Sequence, residues 1–313
     1  MQRHFMPMLF CAILVISNAL ALDYPTRDLT VIIPSGAGGA TDIAFRSFTK
    51  HFQKHFKKSV NIINIGGAGG SVGYNEFLKE NDMSGHTLVT QLASMPLNYA
   101  IGTFNYTRRD FAPVCSVFSG YMTLCVRNDS PIKTFDDFKK SIKSNPDFRY
   151  GVFSNSPSTG VLLALEDSLG MKFKVIDIPE VGKQSELLAG RLEASSDFFA
   201  QMKPFIDSGD FRSLGVFHHE RLPAYPDIPT FKEMGVDYSI TDQIIGLFAD
   251  KGTPSEIIAY IDKAVRETFA QEPELTKDFE NLGYIGNYKS TDDYIAWLDN
   301  IFSDFKVKID AME

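Results

Sequence analysis

Along the first third of the chain, apolar runs typical of strands alternate with segments in which apolar residues have helical spacing. The segment LTVIIP at residues 29–34 is a short apolar run rich in β-branched residues, which is typical of a buried strand. In the segment 42–58, apolar residues recur at steps of four, at Ala44, Phe48, Phe52 and Phe56. That spacing predicts a helix with one apolar face. The next predicted elements are a strand at 59–64, a helix at 71–80 and a strand at 86–92.

The alternation resumes after residue 128 and predicts a second α/β unit. Its elements are a helix at 134–144, a strand at 148–153, a helix at 160–170, a strand at 173–178, a helix at 183–190, and strands at 191–197 and 212–217. A buried strand follows near 243–254, and the rest of the chain is predicted to be helical, with amphipathic helices at 255–269 and 291–309.

Strands that alternate with helices favour parallel pairing, so we expect two α/β domains, each with a parallel-rich sheet flanked by helices. The first comprises residues 22–120 and 243–313, and the second comprises residues 121–242. The chain would cross between them twice and form a hinge there. A cleft between hinged α/β domains is a common place for a small ligand.

The first 21 residues have the pattern of a secretory signal. Arg3 precedes an apolar stretch, and Ala19 and Ala21 supply the small side chains that a signal peptidase requires. The stretch is shorter than the roughly 18 residues that favour a membrane span. We therefore expect cleavage after Ala21 and an exported protein. Lipid attachment at Cys11 is the less favoured alternative, because Phe10 stands where a lipoprotein signal needs a small residue.

Charge and length narrow the classes of function. The chain carries 39 acidic and 31 basic side chains, a net charge of −8, without a cluster of Lys and Arg. Nucleic-acid binding draws on such clusters, so we expect no nucleic-acid partner. A length of 313 residues suits two domains better than one small core. We expect a monomer without a cofactor or metal.

The cysteines and histidines form no recognisable catalytic or metal motif. Cys115 and Cys125 lie in strand-like sequence, and they are either a disulfide or two buried apolar side chains. His51 and His55 have metal-like spacing, but without a HExxH motif we interpret them as residues of an exposed helix face. No GxSxG motif surrounds a serine, which argues against a hydrolase of that class.

Two glycine-rich loops each join a predicted strand to a predicted helix. They are SGAGGATD at 35–42 and GGAGGS at 66–71, and a third loop, SNSPST at 154–159, carries hydroxyls instead. Loops of this kind open the crevice where ligands bind, and the helix behind each directs free N–H groups into it. Glycine lets these amides approach an anion closely, so recognition there needs no fixed positive side chain. Neither loop continues into Gly-Lys-Ser/Thr, which excludes a P-loop.

Five segments in this order resemble the extracytoplasmic solute receptors of tripartite tricarboxylate transporters, the Bug-type receptors. The segments are YPTRDLTVIIPSGAGGATDIAFR, NIGGAGGSVG, SGHTLV, RLPAYPDIPTFKEMG and GLFADKGTP. The resemblance implies a two-domain periplasmic binding protein fold, type II-like, with a small organic acid or amino acid as ligand. It implies the permease subunits of a tripartite tricarboxylate transporter as partners. An orphan receptor that acts as a sensor for a membrane signalling partner is the alternative.

The resemblance also implies which residues bind the ligand. The glycine loops would act as two pincers on a ligand carboxylate, through Gly38, Gly39, Ala40, Thr41, Asp42, Gly67, Ala68, Gly69 and Gly70. The other expected ligand-binding residues are Ser94, Ser154, Asn155, Ser156, Ser158, Thr159, Glu180 and Asp197. Asp42 is expected either to orient loop amides or water, or to cap the helix that begins there.

Two departures from the family pattern bear on the ligand. Ala40 replaces a glycine that is usual in the first pincer, and Glu180 replaces an aromatic residue. An acidic side chain facing the cleft would repel a second carboxylate and could pair with an ammonium group. If Glu180 faces the cleft, we expect an amino acid or a monocarboxylate, and if it faces solvent, di- and tricarboxylates remain open.

Overall fold

The structure, a computed structural model, describes residues 22–100, 102, 104–154, 156–179, 182–236 and 243–310. The expected signal peptide lies outside them. The strands are β1 (Leu29–Ile33), β2 (Val60–Asn64), β3 (Thr87–Thr90), β4 (Phe111–Gly120), β5 (Met122–Arg127), β6 (Arg149–Val152), β7 (Lys174–Asp177), β8 (Ala194–Phe198), β9 (Phe211–Phe217), β10 (Gln243–Asp250) and β11 (Ile285–Gly286). The α-helices are α1 (Ala40–Phe56), α2 (Ser71–Glu80), α3 (Met95–Ala100), α4 (Phe135–Ser144), α5 (Pro157–Leu169), α6 (Lys183–Leu188), α7 (Phe199–Asp207), α8 (Ser255–Gln271), α9 (Pro273–Leu282) and α10 (Thr291–Asp310).

The strands form two sheets, and both sheets are mixed. The first has the order β11-β4-β10-β3-β1-β2, and the second has the order β7-β6-β8-β5-β9. β1 pairs in parallel with β2 and β3, because α1 and α2 return the chain to the same end of the sheet. In the second sheet, β6 pairs in parallel with β7 and β8. The expected α/β architecture with two helix-flanked sheets is confirmed.

The antiparallel pairs arise where the chain passes from one sheet to the other. β10 returns the chain from the second sheet to the first and pairs antiparallel with β3 and β4. β5 likewise pairs antiparallel with β8 and β9. The alternation of strands and helices along the sequence does not predict this antiparallel pairing.

The first passage between the sheets is a single residue. Gly120 ends β4 in the first sheet, and Met122 begins β5 in the second. Tyr121 between them is buried, and its ring lies 5.2 Å from that of Phe199. A Cβ on Gly120 would lie 2.7 Å from the ring of Phe198, so the close approach of the two sheets requires glycine here.

The apolar face of α1 anchors the first glycine-rich loop. Ala44, Phe48, Phe52 and Phe56 are buried, as their spacing predicts. The rings of Phe48 and Phe52 stack with centroids 5.0 Å apart. Because burial of one such side chain contributes about 1.5–3 kcal/mol, this face holds α1 firmly against the sheet. The helix begins at Ala40 rather than at Asp42, because Gly39 adopts the extended conformation of an N-cap.

Two expectations along the second unit are wrong in detail. The pattern does not predict α7, because Pro204 within it is a residue that usually ends a helix. The strand expected from residue 191 begins at Ala194, because residues 187–191 form a turn in which the Gly190 amide donates to the carbonyl of Leu187.

The exposed-face interpretation of His51 is also wrong. His51 on α1 is buried against the N-terminal half of α9, with Nδ1 3.1 Å from Glu272 and Nε2 3.2 Å from Asp278. Glu272 also lies 3.5 Å from Nε2 of His55 and 2.6 Å from the ammonium of Lys54. These contacts are polar links between two helices.

The cysteines are buried free thiols in different sheets, Cys115 in β4 and Cys125 in β5. Burial raises the pKa of Cys115, and it raises the pKa of Cys125 to about 12. Among the described residues, His, Cys, Asp and Glu form no group of three or more that could hold a metal ion. Over the same part of the chain, every helix is too short or too polar to cross a membrane.

Candidate ligand-binding cleft

The first glycine-rich loop leaves amides free at the start of α1. Gly38 has a φ of 78°, and this left-handed turn places Gly39 as the N-cap. The amide of Gly39 donates to Gly36, and that of Ile43 donates to Gly39. The amides of Ala40 and Thr41 belong to the first helical turn and have no acceptor among the described residues.

The carboxylate of Asp42 stabilises the conformation of this loop. Its Oδ2 accepts a hydrogen bond of 2.8 Å from the amide of Gly38, and its Oδ1 lies 2.9 Å from Nε of Arg46. Burial opposes ionisation of Asp42, but the hydrogen bonds from Arg46 and Gly38 outweigh it and lower the pKa of the carboxyl group. The carboxylate therefore orients the loop main chain, while the N-cap position belongs to Gly39.

The second glycine-rich loop is held in left-handed conformations. Gly67, Ala68, Gly69 and Gly70 have φ values of 126°, 47°, 64° and 100°. Residues Ala68–Gly70 form a short 3₁₀ turn that leads into α2. The amides of Gly70 and Val72 donate to Gly67, whereas those of Ala68 and Gly69 have no acceptor among the described residues. Three glycines make this sequence of positive φ values accessible at low cost.

The hydroxyls of the third loop cap α5. Ser156 is the N-cap, and its Oγ accepts from the amide of Ser158 at 3.2 Å and donates to the carbonyl of Phe153 at 2.7 Å. The Oγ atoms of Ser156 and Ser158 are 2.7 Å apart, and Ser158 also accepts from the amide of Phe153. These buried hydroxyls form one small network that fixes the shape of the loop.

A buried ion pair lies near the serine network. Lys183 is the first residue of α6, and its Nζ is 3.0 Å from Oδ2 of Asp197 at the end of β8. The two side chains are only 3% and 6% exposed. Gln184 donates to the same Oδ2 at 3.0 Å, and the amide of Phe198 donates to Oδ1 at 2.8 Å.

These elements surround one cavity of about 160 Å³ between the two sheets. The main-chain loops of the first sheet form one side, and α5, Lys183 and Asp197 form the other. Its lining residues are Pro34, Ser35, Ala40, Thr41, Gly67, Ala68, Gly69, Gly70, Leu92, Ala93, Ser94, Met122, Phe153, Ser156, Pro157, Ser158, Lys183, Asp197, Phe198 and Gln201.

Most of the expected site residues meet in this cavity. It brings together Ala40, Thr41, Gly67, Ala68, Gly69, Gly70, Ser94, Ser156, Ser158 and Asp197. Gly38, Gly39 and Asp42 of the first loop do not line the cavity, and Gly38 lines an adjacent groove of about 650 Å³ that also contains Lys203 and Asp207. The cavity and the groove share Ala40 and Gln201.

Two expected residues of the third loop, Ser154 and Thr159, do not line the cavity either. Ser154 is exposed, and its amide donates to Asp177. The hydroxyl of Thr159 donates to the carbonyl of Phe153, which turns it toward its own loop. Asn155 and Glu180 lie outside the described residues, so the expectations for them stay open.

Sequence reasoning missed Ser35, Lys183 and Gln201. The Oγ of Ser35 is buried at the cavity without a hydrogen-bond partner among the described residues. A signal for Lys183 exists in the sequence: it opens a helix, where a positive charge opposes the helix dipole. Gln201 lies on α7, the helix that the hydrophobic pattern does not predict.

Comparison with known proteins relates this site to receptors. Residues 44–311 match the model of the tripartite tricarboxylate transporter family receptor. A UPF0065 protein from the TAR-I ttuE-ttuC' intergenic region of Agrobacterium vitis is 27% identical over 91% of this chain and 84% of its own length.

Two solved structures share the fold. A TctC solute-binding protein from Polaromonas has a TM-score of 0.73 and 26% identity, covering 92% of this chain and 99% of its own. The protein MatC from Rhodopseudomonas palustris, solved with bound malate, has a TM-score of 0.80 and 23% identity, covering 90% of this chain and 99% of its own. The match to the family model spans most of the sequence, and the fold agrees with it. The chain therefore belongs to the tripartite tricarboxylate transporter family of solute-binding receptors.

Proposed function

We propose that this protein is a periplasmic receptor that captures a small carboxylate-bearing molecule between its two lobes and delivers it to a tripartite tricarboxylate-type permease. One observation carries the proposal: residues from two separate glycine-rich loops, with main-chain amides that have no acceptor among the described residues, line the same cavity. Free N–H groups at helix starts are a ready-made site for an anion.

The free amides can supply most of the binding energy. A hydrogen bond to a charged group contributes about 1.5–3 kcal/mol net. The amides of Ala40 and Thr41 from the first loop and those of Ala68 and Gly69 from the second make four such donors. After the cost of ordering the ligand, micromolar affinity, about −8 kcal/mol, is within reach.

The cavity size sets the scale of the ligand. A volume of about 160 Å³ is below the roughly 300–1,000 Å³ of pockets that hold drug-sized ligands. Apolar groups of Leu92, Met122 and Phe198 line part of it. We therefore propose a short-chain organic acid, with its carboxylate on the first lobe.

Closure of the lobes would follow from ligand bridging. We propose residues 22–120 and 243–313 as the first lobe and residues 121–242 as the second, with the passage at Tyr121 as part of the hinge. A ligand that contacts both walls favours the closed form by its differential affinity for that form. The permease would then recognise the closed receptor.

Binding without turnover fits the chemistry of the cavity. Among the described residues, its lining contains neither histidine nor cysteine, and the hydroxyls of Ser156 and Ser158 are already engaged in the network at the start of α5. Export through the N-terminal signal, with cleavage after Ala21, would place the receptor beside its permease.

Isothermal titration calorimetry of the mature chain tests the proposal. The titrants are short mono-, di- and tricarboxylates, and their uncharged amides serve as matched controls of the same shape. We expect saturable one-to-one binding of at least one acid, no binding of its amide, and recovery of the acid unchanged. If none of the acids binds, the receptor proposal fails.

A further inference from the structure

The far wall of the cavity contains a cation that the main-chain mode of recognition does not require. Lys183 lines the cavity, and only 2% of its surface is exposed. Its ammonium lies 3.0 Å from Asp197 and 3.4 Å from the carbonyl of Ser196. An ammonium has three N–H donors, and the described residues provide no acceptor for a third.

Its partner Asp197 is fully occupied by protein donors. Oδ2 accepts from Lys183 and from Gln184 at 3.0 Å each, and Oδ1 accepts from the amide of Phe198 at 2.8 Å. With its amide nitrogen turned toward the carboxylate, Gln201 adds contacts of 2.7 and 3.0 Å. A carboxylate offers about four lone-pair sites, so Asp197 has none left for a ligand.

We propose that Lys183 determines specificity at the far end of the ligand, an inference that rests on the proposed receptor function. The ammonium donates to an acceptor group there, and by pairing with Asp197 it removes the carboxylate that would bind a ligand ammonium. The ligand is thus an organic acid whose far end is anionic or a strong hydrogen-bond acceptor. A far-end ammonium is rejected.

Matched probes that differ only at the far end test this specificity. Succinate, 4-aminobutanoate and butanoate have the same four-carbon chain and end in a carboxylate, an ammonium and a methyl group. Malonate, 3-aminopropanoate and propanoate, and glutarate, 5-aminopentanoate and pentanoate, repeat the comparison at two other lengths. Calorimetry should rank the diacid tightest, the monoacid about 10- to 100-fold weaker, and the amino acid weakest.

Two variants test whether Lys183 causes this order of affinities. Lys183→Met should bring the affinity of the diacid down to that of the monoacid, and should relieve the discrimination against the amino acid. Because this change leaves Asp197 without its cation, the double variant Lys183→Met with Asp197→Asn provides a neutral wall that is easier to fold. It should bind the diacid and the monoacid alike.

Lys172→Met is the matched control. It breaks an ion pair of 2.7 Å with the buried Glu166 in the same lobe, and neither residue lines the cavity. The control should keep the ranking of the wild type, and circular dichroism should show all three variants folded.

The outcomes separate this inference from the receptor proposal. If acids bind but the amino acid binds as tightly as the diacid, or if a folded Lys183 variant keeps the wild-type ranking, the role of Lys183 is overturned while the receptor function stands. If no probe of any length binds, the receptor proposal fails, and the specificity role falls with it.

Discussion

The two walls of the cleft recognise a ligand by different means. On the first sheet the wall is main chain: glycine-rich turns expose amides whose positions depend on backbone conformation, as at Gly67 and Gly69. On the second sheet the wall is side chain: the ammonium of Lys183 is held by Asp197 and its neighbours. In our proposal, the main-chain wall supplies donors for any carboxylate, whereas the side-chain wall distinguishes one carboxylate from another.

Changes in the two walls should also differ in their effects on ligand affinity and on protein stability. Free amides in the first wall are available because the fold does not use them. In the second wall every donor to Asp197 is also a structural contact. A change in the main-chain wall should therefore cost affinity, and a change in the side-chain wall should cost both affinity and folding free energy.

The largest expected effect on binding comes from Gly69→Val. A Cβ at this position would lie 3.4 Å from the side chain of Asn98, and a β-branched residue at a φ of 64° would strain the loop that carries the free amides of Ala68 and Gly69. We expect affinity to fall more than about 100-fold, since several charge-assisted hydrogen bonds are lost together. Calorimetry with the tightest acid measures the loss.

Gly209→Val controls for backbone strain. Gly209 has a φ of 80°, and nothing lies within 4 Å of an added Cβ, so this variant carries a similar strain away from the cavity. It should bind like the wild type. Equal losses in the two variants would contradict the role assigned to the second loop.

The largest expected effect on stability comes from Asp197→Ala. Removing one partner of a buried ion pair typically costs about 3–5 kcal/mol, because the other charge stays buried without compensation. Here Lys183, Gln184 and Gln201 would all lose their acceptor. Urea denaturation should show this decrease in the free energy of unfolding.

The double variant Lys183→Met with Asp197→Leu tests whether the loss of stability in Asp197→Ala comes from the uncompensated charge of Lys183. Without either charge the wall is apolar, and most of the stability should return. If the single and double variants are equally unstable, the loss comes from packing and not from an uncompensated charge.

The smallest effect on stability is expected outside the cleft, at Glu272. Hydrogen bonds from Lys54 and then His51 lower the pKa of this carboxyl group from 4.5 to about 2. The stabilisation is therefore complete above pH 4.5 and is lost as the pH falls toward 2. Glu272→Gln should flatten the decline of the unfolding free energy over this interval and leave ligand affinity at pH 7 unchanged.

Glu274→Gln, in the first turn of α9, is the control for that measurement. Glu274 is exposed and pairs only with Lys277, at 3.0 Å. Its variant should keep the wild-type decline between pH 5 and 2. A loss of ligand affinity in Glu272→Gln would contradict the separation of this helix contact from the cleft.

The main-chain wall was the more predictable one. Its glycines are adjacent in sequence and lie between a strand and a helix that hydrophobic periodicity identifies. The apolar face of α1, with Phe48 and Phe52, follows from local spacing alone. Local patterns determine such elements, so one sequence is enough to place them.

The side-chain wall was harder to predict. Its residues are distant from one another in sequence, and one of them lies on a helix that the local pattern does not predict. Lys183 and Asp197 meet because β8 and α6 pack together, and no spacing rule connects them. Because Pro204 within α7 usually ends a helix, the sequence does not predict α7 or the position of Gln201 on it. Direct passages such as Tyr121 produce mixed sheets that an alternating pattern cannot distinguish from parallel ones.

A crystal structure of the mature protein with the tightest-binding acid tests the central claim most directly. The account predicts a carboxylate of the ligand between the two glycine-rich loops, with oxygens about 2.7–3.2 Å from the amide nitrogens of Thr41 and Gly69. A ligand whose carboxylate instead lies in the adjacent groove near Lys203, without contact to either loop, would contradict it.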